Sequence, residues 1–192
     1  VVEHVVIDMS GPFRSLAKRL FPHATIIADR YHVVRQVMWA FENVRKAEQQ
    51  KFYDSRRKYF KRNRRVLLKR PDNLSEEEAD QIESMLRISE RLRQAYFMKN
   101  EFHKLMDCKN REDARKQLGI WNMMATGYNL PEFQACTRTF INWSEEILNS
   151  FEYRFSNGYT EGVNNKIKVI KRNAFGVRDF KRFRNRILHI MS

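Results

Sequence analysis

The stretch VVIDMSGPFRSLAKRLFPHATIIAD, residues 5–29, decides the fold class. It begins and ends with short apolar runs, residues 5–7 and 24–28, and an aspartate follows each run. Such runs are typical of strands that are buried on both faces of a sheet. Between them, Pro12 follows a serine that can cap a helix, and apolar residues recur at helical spacing until Pro22. The stretch therefore predicts two parallel strands joined by a helical crossover.

The remainder of the chain has a helical pattern. An apolar stripe over residues 33–44 predicts a helix that continues into a basic block and ends before Pro71. Ser75 to Glu78 predicts a capping box at the start of one long helix that carries Ile82 to Phe97. Further helices are predicted over residues 112–126, 131–151, 159–172 and 178–190. The expected class is α/β and predominantly helical. Because two strands alone are a marginal sheet, we expect more sheet upstream of Val1.

The charge of the chain favours a polyanionic partner. Thirty-seven Lys and Arg against 23 Asp and Glu give a net charge of +14, and basic groups that bind phosphates release condensed counterions. Residues 45–70 hold 12 basic residues and two acids, and residues 164–186 hold nine and one. Solvated helix faces explain either block alone. The two together favour nucleic acid, since they contain interleaved aromatic residues: Tyr53, Tyr59, Phe60, Phe175, Phe180 and Phe183.

Other partners and compartments are disfavoured by simple features. No run of about 18 apolar residues exists, so no membrane span is expected. Cys108 and Cys136 have no partner at metal-ligand spacing, which predicts free thiols in a reducing cytoplasm. The first eight residues lack an initiator Met and predict a strand rather than a signal peptide, so we expect the chain to begin inside a larger protein.

Three acidic residues are candidates for chemistry. Asp8 and Asp29 follow the two strands, where parallel sheets bind ligands, although either can simply cap a helix. Glu161 falls on one helical face with Asn165, Lys168 and Arg172, and Val163, Ile167 and Ile170 fall on the opposite face. An amphipathic helix explains the apolar face. A lone carboxylate on a cationic face is the pattern of a metal ligand beside bound phosphates.

Four segments carry a resemblance to a known family. They are Ile7-Asp8-Met9-Ser10, Leu20-Phe21-Pro22-His23-Ala24, Ala28-Asp29-Arg30-Tyr31-His32-Val33-Val34, and residues 156–171 followed by Asn173-Ala174-Phe175-Gly176. In this order they resemble the insertion-sequence transposases of the ISL3 family. The likeness covers most of the chain, although the middle helices contribute little to it.

The resemblance implies a DDE transposase with a ribonuclease-H-like core. Enzymes of that kind hold two divalent metals, Mg²⁺ or Mn²⁺, with two Asp and one Glu, and they cleave and transfer DNA strands. By position, Asp8 matches the second Asp and Glu161 matches the Glu, while the first Asp is expected before Val1. The chain alone is therefore expected to bind DNA without cutting it. The full-length protein is expected to form a homo-oligomer on transposon ends and target DNA.

Asp29 remains a rival to Asp8 as a metal ligand. Asp29 and His32 fit the place where related transposases carry a Cys-x-x-His pair, so we prefer a role for Asp29 in capping the long helix and holding His32. Two-metal chemistry requires no general base, which argues against that role for His32.

The resemblance also implies a division of the chain. Residues 1–44 form a partial ribonuclease-H-like core, residues 45–152 a large all-α insertion, and residues 153–192 the C-terminal core helices that carry Glu161. Trp121 or Trp143 could stack on an unpaired base, but core packing is preferred. The residues expected to bind DNA are Arg56, Arg57, Lys58, Lys61, Arg62, Arg64, Arg65, Asn165, Lys168, Lys171 and Arg172.

Two other functions fit the same composition. One is a non-catalytic basic helical module that binds nucleic acid, and the other is a helical scaffold for protein contacts. A weak dependence of DNA affinity on salt would favour the scaffold.

Overall fold

The computed structural model describes residues 1–191 of the 192-residue chain. It contains two compact units, the first Val1–Phe155 and the second from Ser156 to the C-terminal end. Each unit is described by itself.

A strand–helix–strand crossover opens the first unit. Strand β1 (His4–Ile7) pairs in parallel with strand β2 (Thr25–Ala28), and helix α1 (Gly11–Leu20) connects them. The register joins His4 to Thr25 and Ile7 to Ala28. The predicted parallel crossover is confirmed, as is the proline in the first turn of α1. Ser10 precedes that helix, but its side chain makes no capping hydrogen bond.

Helices make up most of the remaining chain. In the first unit they are α2 (Arg30–Gln50), α3 (Asp54–Arg62), α4 (Arg64–Leu68), α5 (Glu76–Ile88), α6 (Glu90–Met106), α7 (Arg111–Gly127), α8 (Pro131–Asn142) and α9 (Ser144–Tyr153), with a 3-10 turn at Pro71–Asn73. The second unit contains α10 (Gly158–Arg172) and α11 (Phe180–Met191). Within residues 1–191, no helix combines the length and the apolar character needed to cross a membrane.

Three predicted long helices are divided in the structure. The helix expected to continue through the basic block and end before Pro71 is three helices, α2, α3 and α4. The other two are divided at Ser89 and at Trp143. The capping box of Ser75 and Glu78 is confirmed at the start of α5, but the helix stops before Ser89, which is extended and begins α6. The Ser89 hydroxyl accepts a hydrogen bond from the Leu92 N–H at 3.1 Å and donates one to Glu48 at 3.0 Å. The predicted helix over residues 131–151 is divided at Trp143, whose backbone leaves the helical region. Periodicity missed the breaks at Ser89 and Trp143 because the apolar stripe continues across them.

The core of the first unit is built around α2, which packs against α6 and α8. The Trp121 ring lies 5.3 Å from that of Phe102 and 5.4 Å from that of Phe140, and its indole N–H donates to the Met98 carbonyl at 2.9 Å. Trp143 is buried as well. Core packing of the two tryptophans, the preferred interpretation, is confirmed. Helix α9 covers strand β2, and the Asn149 amide donates to the carbonyl of Ile26 at 2.7 Å.

Candidate active site and nucleic-acid interface

Asp8 lies directly after strand β1, at the C-terminal edge of the sheet. Its backbone carbonyl accepts a hydrogen bond from the Ser10 N–H at 2.6 Å. Its Oδ1 atom is buried and has no hydrogen-bond partner among the described residues. Leaving a buried acceptor unsatisfied costs about 1–3 kcal/mol, so such an atom in a native protein calls for an explanation, such as a bound water, an ion or a catalytic role. A cation is the ligand that suits an anionic oxygen in this position.

Asp29 lies beside Asp8 but is engaged by the backbone. Ile7 and Ala28 are the last registered pair, and the Asp29 N–H donates to the Ile7 carbonyl at 2.8 Å, so Asp8 and Asp29 are neighbours at one edge of the sheet. The Asp29 side chain is 3% exposed and accepts a hydrogen bond from the Tyr31 N–H at 2.8 Å. The predicted helix-capping role of Asp29 is thus confirmed.

The described residues contain no group of three or more His, Cys, Asp or Glu side chains placed to hold a metal ion. The donor chemistry of the sheet edge nevertheless fits a hard divalent cation, because the Asp8 carboxylate offers a buried oxygen without a protein partner. The structure brings Asp8 and Asp29 together in the first unit. Glu161 belongs to the second unit.

Glu161 lies in the first turn of α10 and is exposed. Its backbone N–H donates to the Asn157 carbonyl at 2.8 Å. A carboxylate in a first helical turn also interacts favourably with the helix dipole, typically by about 0.3–1 kcal/mol. The location of Glu161 therefore has a structural benefit in addition to any chemical role.

The opposite faces of α10 differ as the sequence pattern requires. Ile170 is buried, and Val163 and Ile167 are half-buried. The polar face is exposed and borders an open cleft of about 670 Å³, lined by Asn165, Lys168, Val169, Lys171 and Arg172. Four of these five residues were predicted to bind DNA.

The basic block of the first unit runs from the end of α2 through α3 and α4. Its predicted DNA-binding residues all lie on α3 and α4 and are exposed. Arg64 differs from the others because its Nε lies 2.6 Å from a Glu42 carboxylate oxygen. The Arg56 guanidinium lies 5.9 Å from the centre of the Phe52 ring. Within residues 1–191, no ion pair involves Arg56, Arg57, Lys58, Lys61, Arg62 or Arg65.

Part of the basic block serves the interior of the unit instead of its surface. Arg45 is buried, and its guanidinium donates to Glu42 at 2.7 Å and to Gln49 at 2.6 Å. Burial alone would raise the pKa of the Glu42 carboxyl, but hydrogen bonds from Arg45 and Arg64 outweigh it and lower that pKa. Counting charges along the sequence therefore overstates the surface available to DNA.

The turn between α10 and α11 carries a feature that the sequence pattern did not disclose. Phe175 has a φ of 47° and is 95% exposed, and Gly176 follows with a φ of 85°. A non-glycine residue in the left-handed region costs roughly 1–2 kcal/mol. The sequence offers one signal for this turn, the segment Asn173-Ala174-Phe175-Gly176, because a glycine after a helix often has a positive φ. That signal predicts the positive φ of Gly176 but not that of Phe175.

Comparisons with known proteins agree with this description. The sequence model of a DDE family of the ISL3 type, described as transposase, matches residues 1–187. The chain is 27% identical over 188 residues to a transposase for insertion sequence element IS1001 of Bordetella parapertussis, covering 95% of this chain and 46% of that protein. It is 23% identical over 203 residues to a transposase for insertion sequence element IS1557 of Mycobacterium tuberculosis, covering 92% and 45%.

A third relative has a different name. The chain is 35% identical over 112 residues to a Lactococcus lactis protein named ATP-dependent protease, covering 58% of this chain and 34% of that protein. The chain thus spans less than half the length of each of these curated relatives. No solved structure matches it.

Proposed function

Because the chain belongs to the ISL3 family of transposases, we propose that the whole protein cleaves and joins DNA strands by metal-dependent chemistry, with Asp8 and Glu161 as two of its carboxylate ligands. The buried, unpartnered Oδ1 of Asp8 at the edge of the sheet is the observation that carries this proposal. The chain covers less than half the length of these relatives, so catalysis is proposed for the whole protein.

The proposed core is ribonuclease-H-like. A parallel crossover that ends in a carboxylate supports it, as do the exposed apolar residues Phe13, Leu16 and Leu20 on α1. We propose that further residues of the whole protein pack on this apolar surface and complete the core. Residues 1–44 and 153–192 would belong to this core, and residues 45–152 would form the helical insertion.

The residues of this chain have separable roles in the proposed reaction. Bound Mg²⁺ or Mn²⁺ would activate the attacking oxygen and stabilise the leaving oxygen at a DNA phosphodiester. Asp8 and Glu161 supply the anionic oxygens that such hard cations prefer. Asp29 keeps the start of α2 in place through its cap, which positions the neighbouring strand end.

The proposed DNA contacts are to phosphates and fix position without selecting sequence. In the second unit they come from Asn165, Lys168, Lys171 and Arg172. In the first unit they come from the exposed cations of α3 and α4, with Arg64 contributing least because Glu42 already binds it.

The test uses single substitutions in the full-length protein. Glu161→Gln and Asp8→Asn each keep the size of the side chain but remove a metal-binding charge, so we expect Mg²⁺-dependent strand cleavage to fall at least about a hundredfold. DNA affinity, measured by fluorescence anisotropy, should change less than about twofold. Asp29→Asn is the matched control, because asparagine also caps helices well and cleavage should persist.

The outcomes separate the alternatives. Loss of cleavage in Asp29→Asn with activity kept in Asp8→Asn would make Asp29 the ligand. DNA binding by a full-length protein that shows no cleavage with either metal would favour the non-catalytic nucleic-acid-binding module.

The name of the Lactococcus relative finds no support in this chain's own residues, since they include no GxxxxGK[ST] loop for ATP phosphates.

A further inference from the structure

We propose that the Phe175 ring stacks on a DNA base that is unpaired and no longer stacked within the duplex. This inference rests on the proposed function only in taking DNA as the partner. It adds a contact to a base, whereas the contacts proposed above are to phosphates.

The first argument is the backbone of the turn. Phe175 and Gly176 both have positive φ angles, and a turn of this kind after a helix usually takes glycine or asparagine. Gly176 meets that requirement at one of the two positions. At the other the chain carries a phenylalanine, whose β-carbon is strained there. The turn by itself therefore gives no reason for a phenylalanine at position 175.

The second argument is the exposure of the ring on a well-anchored turn. Phe175 is 95% exposed although its neighbour Ala174 is buried. The Ala174 N–H donates to the Lys171 carbonyl at 3.2 Å, and the Val177 N–H donates to the Ala174 carbonyl at 3.3 Å. The backbone thus fixes the turn, and the ring contributes nothing to the core.

The third argument is the charge around the ring. Lys171, Arg172 and Arg178 flank the turn, all are exposed, and none forms an ion pair within the described residues. The acid close by, Asp179, accepts a hydrogen bond from the Arg182 N–H at 2.7 Å and so caps α11. An exposed aromatic ring among cations suits a base next to its phosphates, since bases stack on such rings while basic side chains bind the backbone.

The test uses the full-length protein and two fluorescein-labelled 20-base-pair duplexes. One duplex is fully paired, and the other carries a single bulged 2-aminopurine. We expect the protein to bind the bulged duplex about tenfold more tightly and to quench 2-aminopurine fluorescence, as stacking on one ring would produce. Phe175→Ala should lose both the preference and the quenching while its affinity for the paired duplex changes less than about twofold.

Three further variants separate the ring from the backbone. Phe175→Tyr keeps the ring and should keep the preference. Phe175→Gly removes the ring and relieves the strained φ, so it should behave like Phe175→Ala. If Phe175→Gly binds as the wild type does, the turn matters and the ring does not, which overturns the proposal. Tyr53→Ala, a change at an aromatic residue that is 93% exposed beside basic α3, should keep the preference.

Two other results would contradict the inference and are distinguishable. Tight, salt-dependent binding of both duplexes with equal affinity would overturn base stacking by Phe175 and leave the DNA proposal intact. Failure of the wild-type protein to bind either duplex would overturn the DNA partner itself, and base stacking with it.

Discussion

The two units of the chain differ in how they use charged and aromatic residues. In the first unit, several arginines bind acids, since Arg14 pairs with Glu146 and Arg45 pairs with Glu42. Many large rings of this unit pack together in its core, as at Trp121. In the second unit nine Lys and Arg accompany two acids, and none of these cations forms an ion pair within the described residues. Its aromatic residues Phe175 and Phe180 are exposed.

This difference separates residues that maintain the fold from residues left for a partner. A cation paired with a buried acid is already neutralised and gains little from a phosphate. A cation without such a pair keeps its full attraction for a polyanion. The net charge of +14 therefore does not show where DNA would bind, because the second unit carries a large share of the charge available to DNA.

The largest expected effect tests the aromatic half of the comparison. Trp121→Ala empties the centre of the first unit and removes the hydrogen bond to Met98. We expect a loss of about 3–5 kcal/mol in the free energy of unfolding, measured by urea denaturation. Phe180→Ala, at an exposed ring of the second unit, should cost less than about 0.5 kcal/mol. Similar costs for the two variants would mean that the rings of both units serve folding.

The second prediction tests the charged half. Glu42→Gln removes the charge that neutralises buried Arg45 and leaves Arg64 without its acid. Because an uncompensated buried cation is strongly unfavourable, we expect a loss of about 2–4 kcal/mol in unfolding free energy. Lys171→Gln in the second unit is the control and should change stability by less than about 0.5 kcal/mol. An unchanged stability in Glu42→Gln would show that Arg45 needs no counter-charge.

Local signals predicted the parts of this fold that depend on neighbouring residues. The two apolar runs at residues 5–7 and 24–28 predicted the parallel pair, and Ser75 with Glu78 predicted a capping box that the structure contains. The break at Ser89 escaped prediction because its cause is distant in sequence. The Ser89 hydroxyl bonds Glu48 on another helix, and periodicity contains no information about that contact.

The candidate site was predictable to the same degree. Strand ends located Asp8 and Asp29, and helical spacing gave α10 an exposed polar face. Which cations of the basic block turn inward was not predictable, since the pairing of Arg45 and Arg64 with Glu42 depends on how α2 packs against its neighbours. The positive φ of Phe175 is likewise a property of the folded turn.

The smallest expected effect compares two lysines. Lys99 in α6 is completely buried, and its Nζ donates to the carbonyls of Leu67 at 2.9 Å and Lys69 at 2.6 Å. Burial lowers its pKa from 10.5 to about 7. A neutral amine still has two N–H donors for these two carbonyls. Between pH 7 and about pH 10 the unfolded chain then binds more protons at this residue, so stability rises with pH across that window.

Lys99→Met removes this titration while keeping a long side chain, so the comparison isolates it. From pH 7 to pH 9, the unfolding free energy of the wild type should rise relative to Lys99→Met by about 2 kcal/mol. Other titrating groups cancel in this difference. Lys171→Met in the second unit should show no such change, because Lys171 is exposed. If the difference in unfolding free energy between the wild type and Lys99→Met stays constant with pH, Lys99 remains charged in the core. Buried and exposed cations would then differ in their packing and not in their protonation.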